Sequence, residues 1–286
     1  MMKKVIVIVG PTGSGKTKYS VKLAKKINGE IINGDSVQIY KELNIGSAKI
    51  KEHEMENIKH HLFSIKHVGE EYSAFNFQTD ARKLINDINT PILVGGTGFY
   101  IKSALYDYEF NKEEENDLFI DKSNLEIYEE LIKLDKNIEI DKDNRVRLVR
   151  ALNLAKSGNL RSEKSGSNKK LFDIFTIYLD VNRVKLKELL IKRLDIMINS
   201  GLIEEAKMLF DNNIFLNIIG YRELHHYFLG EYTLEEAKTA IIRSSLNLAK
   251  KQKTWFINQM NTTLYDPFDE DTENQIYSDV ISFLKE

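Results

Sequence analysis

The run Gly10-Pro11-Thr12-Gly13-Ser14-Gly15-Lys16-Thr17 constrains this chain more than any other stretch. Its spacing is glycine, four residues, then Gly-Lys-Ser/Thr. An unbroken apolar run at residues 5–9 precedes it, and a segment with helical spacing follows. Strand, glycine loop and helix form the setting in which this spacing holds phosphate instead of merely turning the chain. The glycines let the backbone curl so that successive N–H groups face inward. The helix N-terminus behind them adds the positive end of its dipole. Lys16 supplies a mobile positive charge. The Thr17 hydroxyl suits a magnesium ion, which makes Thr17 the candidate metal ligand and Mg2+ the expected cofactor. The loop specifies two or three linked phosphates and is silent on whether a nucleotide carries them.

Around this loop the chain reads as alternating strands and helices. Residues 3–9 are continuous and β-branched, as in a strand buried on both faces of a parallel sheet. Tyr19, Leu23 and Ile27 recur at four-residue steps in an amphipathic helix that Asn28-Gly29 ends. Residues 30–33 form the second strand, and Gly34-Asp35-Ser36-Val37-Gln38-Ile39-Tyr40 leaves its carboxyl end. In doubly wound sheets that edge is where ligands bind, so Asp35 lies on the side of the phosphate loop. Asp35 reads as a magnesium ligand or general base, or structurally as a helix N-cap with Ser36. His60-His61 lacks a spaced third ligand and is expected at a helix end or interface, not on a metal. A helix over 73–88 is capped by Ser73, and 91–94 is a third buried strand. Gly95-Gly96-Thr97-Gly98 leaves its end and puts Thr97 on the ligand edge. Further helices are predicted at 99–106, 125–134, 144–155, 186–197, 202–210 and 234–260, with strands at 172–179 and 262–266. Residues 111–121 read as an acidic turn, and 161–170 as a mobile basic loop. The expected architecture is α/β: a P-loop NTPase-like parallel sheet flanked by helices, with a mostly helical inserted region. Approximate edges are 1–109 for the core, 110–170 for the insertion, and 171–286 for the return to the core with C-terminal helices.

Composition narrows the setting. None of the 286 residues is cysteine, so disulfides and thiolate metal sites are excluded. No apolar run approaches the ~20 residues of a membrane span, so no membrane association is expected. The first strand begins almost at the N-terminus and leaves no room for a signal peptide. Together these features suit the cytoplasm. The net charge of −2 gives no overall pull toward nucleic acid. Locally the picture differs: residues 142–170 hold nine Lys/Arg against two acids, and 238–265 hold five and none. Such patches suit a polyanion, or are solvated helix faces. The tail from Asp266 carries seven acids and one lysine.

Several blocks, in this order along the chain, together resemble one family. These are the phosphate loop, the Gly34–Tyr40 block, Gly46-Ser47-Ala48-Lys49, Tyr72-Ser73-Ala74-Phe75 and the stretch from Pro91 to Lys102. Later come Asn144–Leu152 with Arg147 and Arg150 in register, Ile219-Gly220-Tyr221-Arg222-Glu223-Leu224, and the run from Ala249 to Phe256. Over residues 3–266 the chain resembles the tRNA dimethylallyltransferases, also called tRNA isopentenyltransferases. The resemblance implies transfer of a dimethylallyl group from dimethylallyl diphosphate to the exocyclic amine of the adenosine 3′-adjacent to a tRNA anticodon. It implies Asp35 as general base, Thr97 beside it, and Arg193 near the diphosphate; from sequence alone Arg193 also reads as a surface salt bridge. It implies tRNA contacts from Asp35, Ser36, Val37, Gln38, Thr97, Arg147, Arg150, Gly220, Tyr221 and Arg222. The partners it implies are the tRNA anticodon stem-loop and the allylic donor, and a monomer is expected. Departures fall at Asn217, where the family usually has arginine, at Ser245-Leu246-Asn247-Leu248, and at Lys142-Asp143-Asn144. They touch the grip on tRNA more than the prenyl-transfer centre. A P-loop small-molecule or nucleoside kinase is the alternative, with ATP as donor, and a non-catalytic RNA-binding relative is a third reading.

Overall fold

The computed structural model describes residues 2–110, 119–162 and 168–286. Most of the acidic turn expected at 111–121 and half of the basic loop expected at 161–170 therefore lie outside the described residues. The chain divides into two compact units, Met1–Tyr106 with Lys170–Glu286, and Asp107–Lys169.

The larger unit holds strands β1 (Lys4–Val9), β2 (Glu30–Asn33), β3 (His60–His61), β4 (Pro91–Gly95), β5 (Asp173–Leu179) and β6 (Thr262–Tyr265). They form one sheet in the order β3-β2-β4-β1-β5-β6, and every pairing is parallel. The helices in chain order are α1 (Lys16–Ile27), α2 (Ala74–Asp87), α3 (Gly98–Leu105), α4 (Asn124–Leu134), α5 (Arg145–Lys156), α6 (Arg183–Asn199), α7 (Leu202–Asp211), α8 (Tyr221–Phe228), α9 (Leu234–Gln259) and α10 (Thr272–Lys285). All but α4 and α5 belong to the larger unit.

Strand β1 shows why the sheet is covered on both faces. Val5, Val7 and Val9 enter one core, with Phe77, Ala81 and Ile85 of α2, Ile101 of α3 and Phe256 of α9. Ile6 and Ile8 point the other way, against Val21 and Leu23 of α1 and Ile276, Val280 and Phe283 of α10. A β-branched run with no polar break is the sequence form of that two-sided burial. A third cluster joins Leu194 of α6, Leu202 and Leu209 of α7, Leu224 of α8 and Ile241 of α9 to Leu43. In the smaller unit, Ile127 and Leu131 of α4 pack on Leu148 and Leu152 of α5. Capping boxes fix where several helices start: Ser73 with Asn76 for α2, Ser123 with Glu126 for α4, and Thr233 with Glu236 for α9. No described helix is long and apolar enough to cross a membrane.

Two local expectations are corrected, at His60-His61 and at Asp35-Ser36, and the acidic tail, given no element above, gains one. His60-His61 ends no helix: it forms an edge strand in which Ile31 pairs with His60, and His61 Nε2 lies 2.7 Å from the Glu30 carboxylate. The acidic tail folds as α10, because Ile276, Val280 and Phe283 recur on one helical face among the acids. Asp35 and Ser36 cap no helix; Asp35 Oδ1 instead accepts from the Val37 N–H at 2.9 Å in a side-chain-closed turn.

The edge that carries the site depends on one close backbone approach. The Gly34 N–H donates to the Val94 carbonyl at 2.7 Å, and a β-carbon on Gly95 would lie 2.2 Å from the Gly34 carbonyl group. Gly95→Ala must push β2 and β4 apart, and we expect it to cost about 1–3 kcal/mol. Urea unfolding checks this; an unchanged midpoint would contradict the approach.

Candidate active site

Strands β1, β2 and β4 end on the same side and deliver three loops to one edge. The first is the phosphate loop. Its Gly15 has φ 88°, a left-handed conformation that glycine adopts without strain, and α1 starts at the next residue. Lys16 Nζ donates to the carbonyls of Gly10 and Pro11, both at 2.9 Å, so the ammonium bridges the base of the loop. Burial lowers its pKa to about 8; Asp35 acts against that shift, and Arg193 adds to it. The Ser14 hydroxyl is buried and has no hydrogen-bond partner among the described residues.

The second loop carries Asp35. Asn33, fully buried at the end of β2, accepts from the Asp35 N–H at 2.9 Å and donates to the carbonyls of Asp35 at 3.0 Å and Leu62 at 2.9 Å. One side chain thus fixes the backbone on which the carboxylate stands. Asp35 Oδ1 is engaged by Val37, and Oδ2 lies 3.8 Å from where a Gly96 β-carbon would sit.

The third loop carries Thr97. Its Oγ1 accepts from the Ser36 N–H at 3.0 Å and donates to Ser36 Oγ at 3.2 Å, so Thr97 is joined to the residue beside Asp35. From α9, Gln252 Nε2 donates to the Gly96 carbonyl at 2.9 Å and ties this turn to the helix.

The fourth contribution is Arg193 of α6. Its Nε is buried without a hydrogen-bond partner among the described residues, and burial lowers the guanidinium pKa, opposed by Glu54. Gly13, Lys16, Thr17, Asp35, Gln38 and Arg193 all line one cleft of about 550 Å³. A smaller pocket of about 100 Å³ shares Thr12 and Arg193 with it and is otherwise mostly apolar, with Leu190, Leu194, Ile241 and Leu248. Two cations and a carboxylate around a cavity beside an apolar pocket can hold a diphosphate ester, stabilise charge on its leaving group, and accept a proton.

The magnesium expectation can be tested on the donors present. Among the described residues, no three His, Cys, Asp or Glu side chains converge on a metal-sized site. Magnesium commonly takes one or two protein oxygens and fills its shell with phosphate oxygens and water. The Thr17 hydroxyl and the Asp35 carboxylate in one cleft fit that mode.

The remaining expected residues separate. Arg147 and Arg150 lie exposed on α5, in the smaller unit. Gly220 lines the small pocket. Tyr221 is only 4% exposed, and its hydroxyl donates to Glu205 at 2.5 Å. Arg222 donates to Asn217 at 3.0 Å and Ser244 at 3.2 Å and pairs with Glu223. The residue at the family's usual arginine position thus supports Arg222 here. Sequence reading missed Asn33, whose one signal is a polar residue closing a buried strand. It also missed Gln252 and Glu205, which act over long sequence distances.

Comparison with known proteins adds to this geometry. The family model described as IPP transferase matches residues 38–259. The tRNA dimethylallyltransferase of Acholeplasma laidlawii is 50% identical over 284 residues, covering 99% of both chains. That of Anoxybacillus flavithermus is 41% identical over 302 residues, covering 100% of this chain and 97% of its own. Among solved structures, the tRNA isopentenylpyrophosphate transferase of Bacillus halodurans superposes with a TM-score of 0.78 at 34% identity, covering 99% of this chain and 97% of its own. A eukaryotic dimethylallyltransferase acting on tRNA superposes with a TM-score of 0.81 at 29% identity, covering 98% and 78%. With half its residues shared with a relative over nearly the whole of both chains, and with a phosphate loop, Asp35 and Arg193 on one cleft, the chain belongs to the tRNA dimethylallyltransferase family.

Proposed function

We propose that this chain transfers a dimethylallyl group from dimethylallyl diphosphate to the exocyclic amine of the adenosine 3′-adjacent to the anticodon of tRNA, releasing diphosphate. The observation that carries the reading is the grouping of Lys16, Arg193 and Asp35 on one cleft at the strand ends. Family membership selects a prenyl donor over the ATP of a kinase.

The chemistry follows from where charge develops. As the allylic carbon–oxygen bond stretches, its electron pair moves onto the diphosphate and the carbon becomes cationic. Loop N–H groups, Lys16 and Arg193 hold the growing negative charge, which is where a preorganised site lowers a barrier most. Arg193 Nε has no protein partner among the described residues, so a phosphate oxygen would satisfy it. The apolar pocket beside Arg193 suits the five-carbon group. The amine nitrogen forms the new carbon–nitrogen bond, and its proton passes to Asp35, whose Oδ2 is not used on Val37. Thr97 keeps the Asp35-Ser36 turn in place through Ser36. Magnesium, when bound at Thr17, neutralises phosphate charge.

The target adenine must leave the stack of the anticodon loop, as in other enzymes that act on a base. In this reading the Asp35–Gln38 segment, Thr97 and the Gly220–Arg222 turn meet the displaced nucleotide. Arg147 and Arg150 supply backbone contacts whose strength falls with salt. The protein works as a monomer in the cytoplasm.

Labelled prenyl transfer to an anticodon stem-loop tests the function directly. Phosphate transfer from ATP without prenyl transfer would select the kinase. Asp35→Ala should lower turnover by about 100- to 10,000-fold while stem-loop binding survives in a gel shift. Equal turnover would remove Asp35 from its role.

The pH dependence tests Lys16. Its lowered pKa means that the free enzyme loses this positive charge on passing upward through about pH 8. Donor kcat/KM should therefore fall above about pH 8. Lys16→Met should be weak throughout and lack that limb. A wild-type limb that begins only near the ordinary lysine value of 10.5 would contradict the burial of Lys16.

A further inference from the structure

One wall of the cleft is built from residues 34–50, which contain no helix; Gly34 bonds to β4, and residues 38–41 bond to residues 64–66 with an isolated bridge from Tyr40 to Lys66. This segment brings Gln38, Ser47 and Ala48 to the same cavity as Lys16 and Asp35. Residues 44–46 lie beyond those bonds, so their backbone N–H groups need partners from elsewhere in the chain.

The means lies on α7. The Glu205 carboxylate accepts from three successive backbone N–H groups: Asn44 at 2.9 Å, Ile45 at 2.9 and 3.1 Å, and Gly46 at 2.9 Å. Tyr221 of α8 adds its hydroxyl to the same carboxylate at 2.5 Å. Consecutive N–H groups facing inward form a concavity that binds anions. Here the anion is a side chain from about 160 residues along the chain. The buried Tyr221 ring packs directly on this turn: a β-carbon on Gly46 would lie 2.4 Å from Tyr221 Cζ.

The hold reaches the cleft in two steps. Ser47 follows Gly46 directly, and its carbonyl accepts from Gln38 Nε2 at 3.1 Å. Lys49 Nζ then donates to the Tyr40 carbonyl at 2.5 Å, to Asn44 Oδ1 at 3.0 Å and to Ser64 Oγ at 2.9 Å, tying both ends of the wall together. Glu205 itself does not line the cleft.

We infer that Glu205, held by the Tyr221 hydroxyl, is a positioning residue: its carboxylate fixes the backbone at 44–46 so that Gln38 and Ser47 face the nucleic-acid substrate, and Glu205 itself does not touch that substrate. The kinetic consequence rests on the prenyl-transfer reading; the structural consequence does not. Glu205→Gln keeps the shape but removes the charge and brings an NH2 group against backbone donors.

The test uses the full chain. Hydrogen exchange should be about tenfold or more faster at the amides of Asn44, Ile45 and Gly46 in Glu205→Gln, with the amides of β1 unchanged. Tyr221→Phe should show the same pattern more weakly, and Glu205→Asp should recover part of the protection. In prenyl-transfer assays, Glu205→Gln should raise the stem-loop KM by about tenfold while kcat stays within about threefold. Unchanged exchange at 44–46 in both Glu205→Gln and Tyr221→Phe would overturn the inference. So would equal acceleration across β1, which marks general loosening, or a loss confined to kcat. If the wild type transfers no prenyl group, the functional reading fails, and the exchange pattern alone decides the role of Glu205.

Discussion

Two cations drawn out of bulk water at one edge of a sheet are the constraint on which this molecule depends. Lys16 is enclosed enough for burial to depress its pKa, with Arg193 adding to the effect. Arg193 Nε lacks a hydrogen-bond partner among the described residues. Holding such groups close together costs free energy unless an anion joins them. The carbonyls of Gly10 and Pro11 and the charge of Asp35 offset part of that cost within the protein. A linked pair of phosphates would offset more. The same unbalanced charge that makes the resting site costly is what favours departure of a diphosphate.

The sheet makes this arrangement possible. Alternate residues of β1 feed the two cores, so the strand is anchored from both faces and its end cannot drift. The three loops that leave β1, β2 and β4 are then locked to one another by short contacts. Gly95 backs onto Gly34, Asn33 grips the Asp35 backbone, and Thr97 bonds Ser36. Helices α6, α7 and α9 supply what the sheet cannot: a guanidinium, the carboxylate that collects the 44–46 amides, and the Gln252 tie.

Much of this is legible in the sequence because the signals are local. The phosphate loop declares itself by spacing and by the apolar run before it. Asp35 and Thr97 are marked by glycines at strand ends, where a parallel sheet places ligands. The strands and most helices follow from periodicity. What stays hidden lacks a local period. His60-His61 is too short to show strand alternation, and the acids of α10 mask the spacing of Ile276, Val280 and Phe283. Arg193 also reads as a surface ion pair, since its surroundings are set by elements distant in sequence. Glu205 carries no mark at all: its partners are backbone N–H groups of residues 44–46, which have no side-chain signature. Tyr221 stands in a block that the resemblance ties to tRNA, yet its ring packs on Gly46.

A structure of the protein with a dimethylallyl thiolodiphosphate, in which the bridging oxygen is sulfur and departure is slow, tests the central claim most directly. The account predicts both phosphates within the turn from Gly10 to Thr17, with an oxygen in hydrogen-bond reach of Arg193 Nε. Phosphates bound at any other edge of the sheet, or an Arg193 that still lacks an anionic partner, would contradict it.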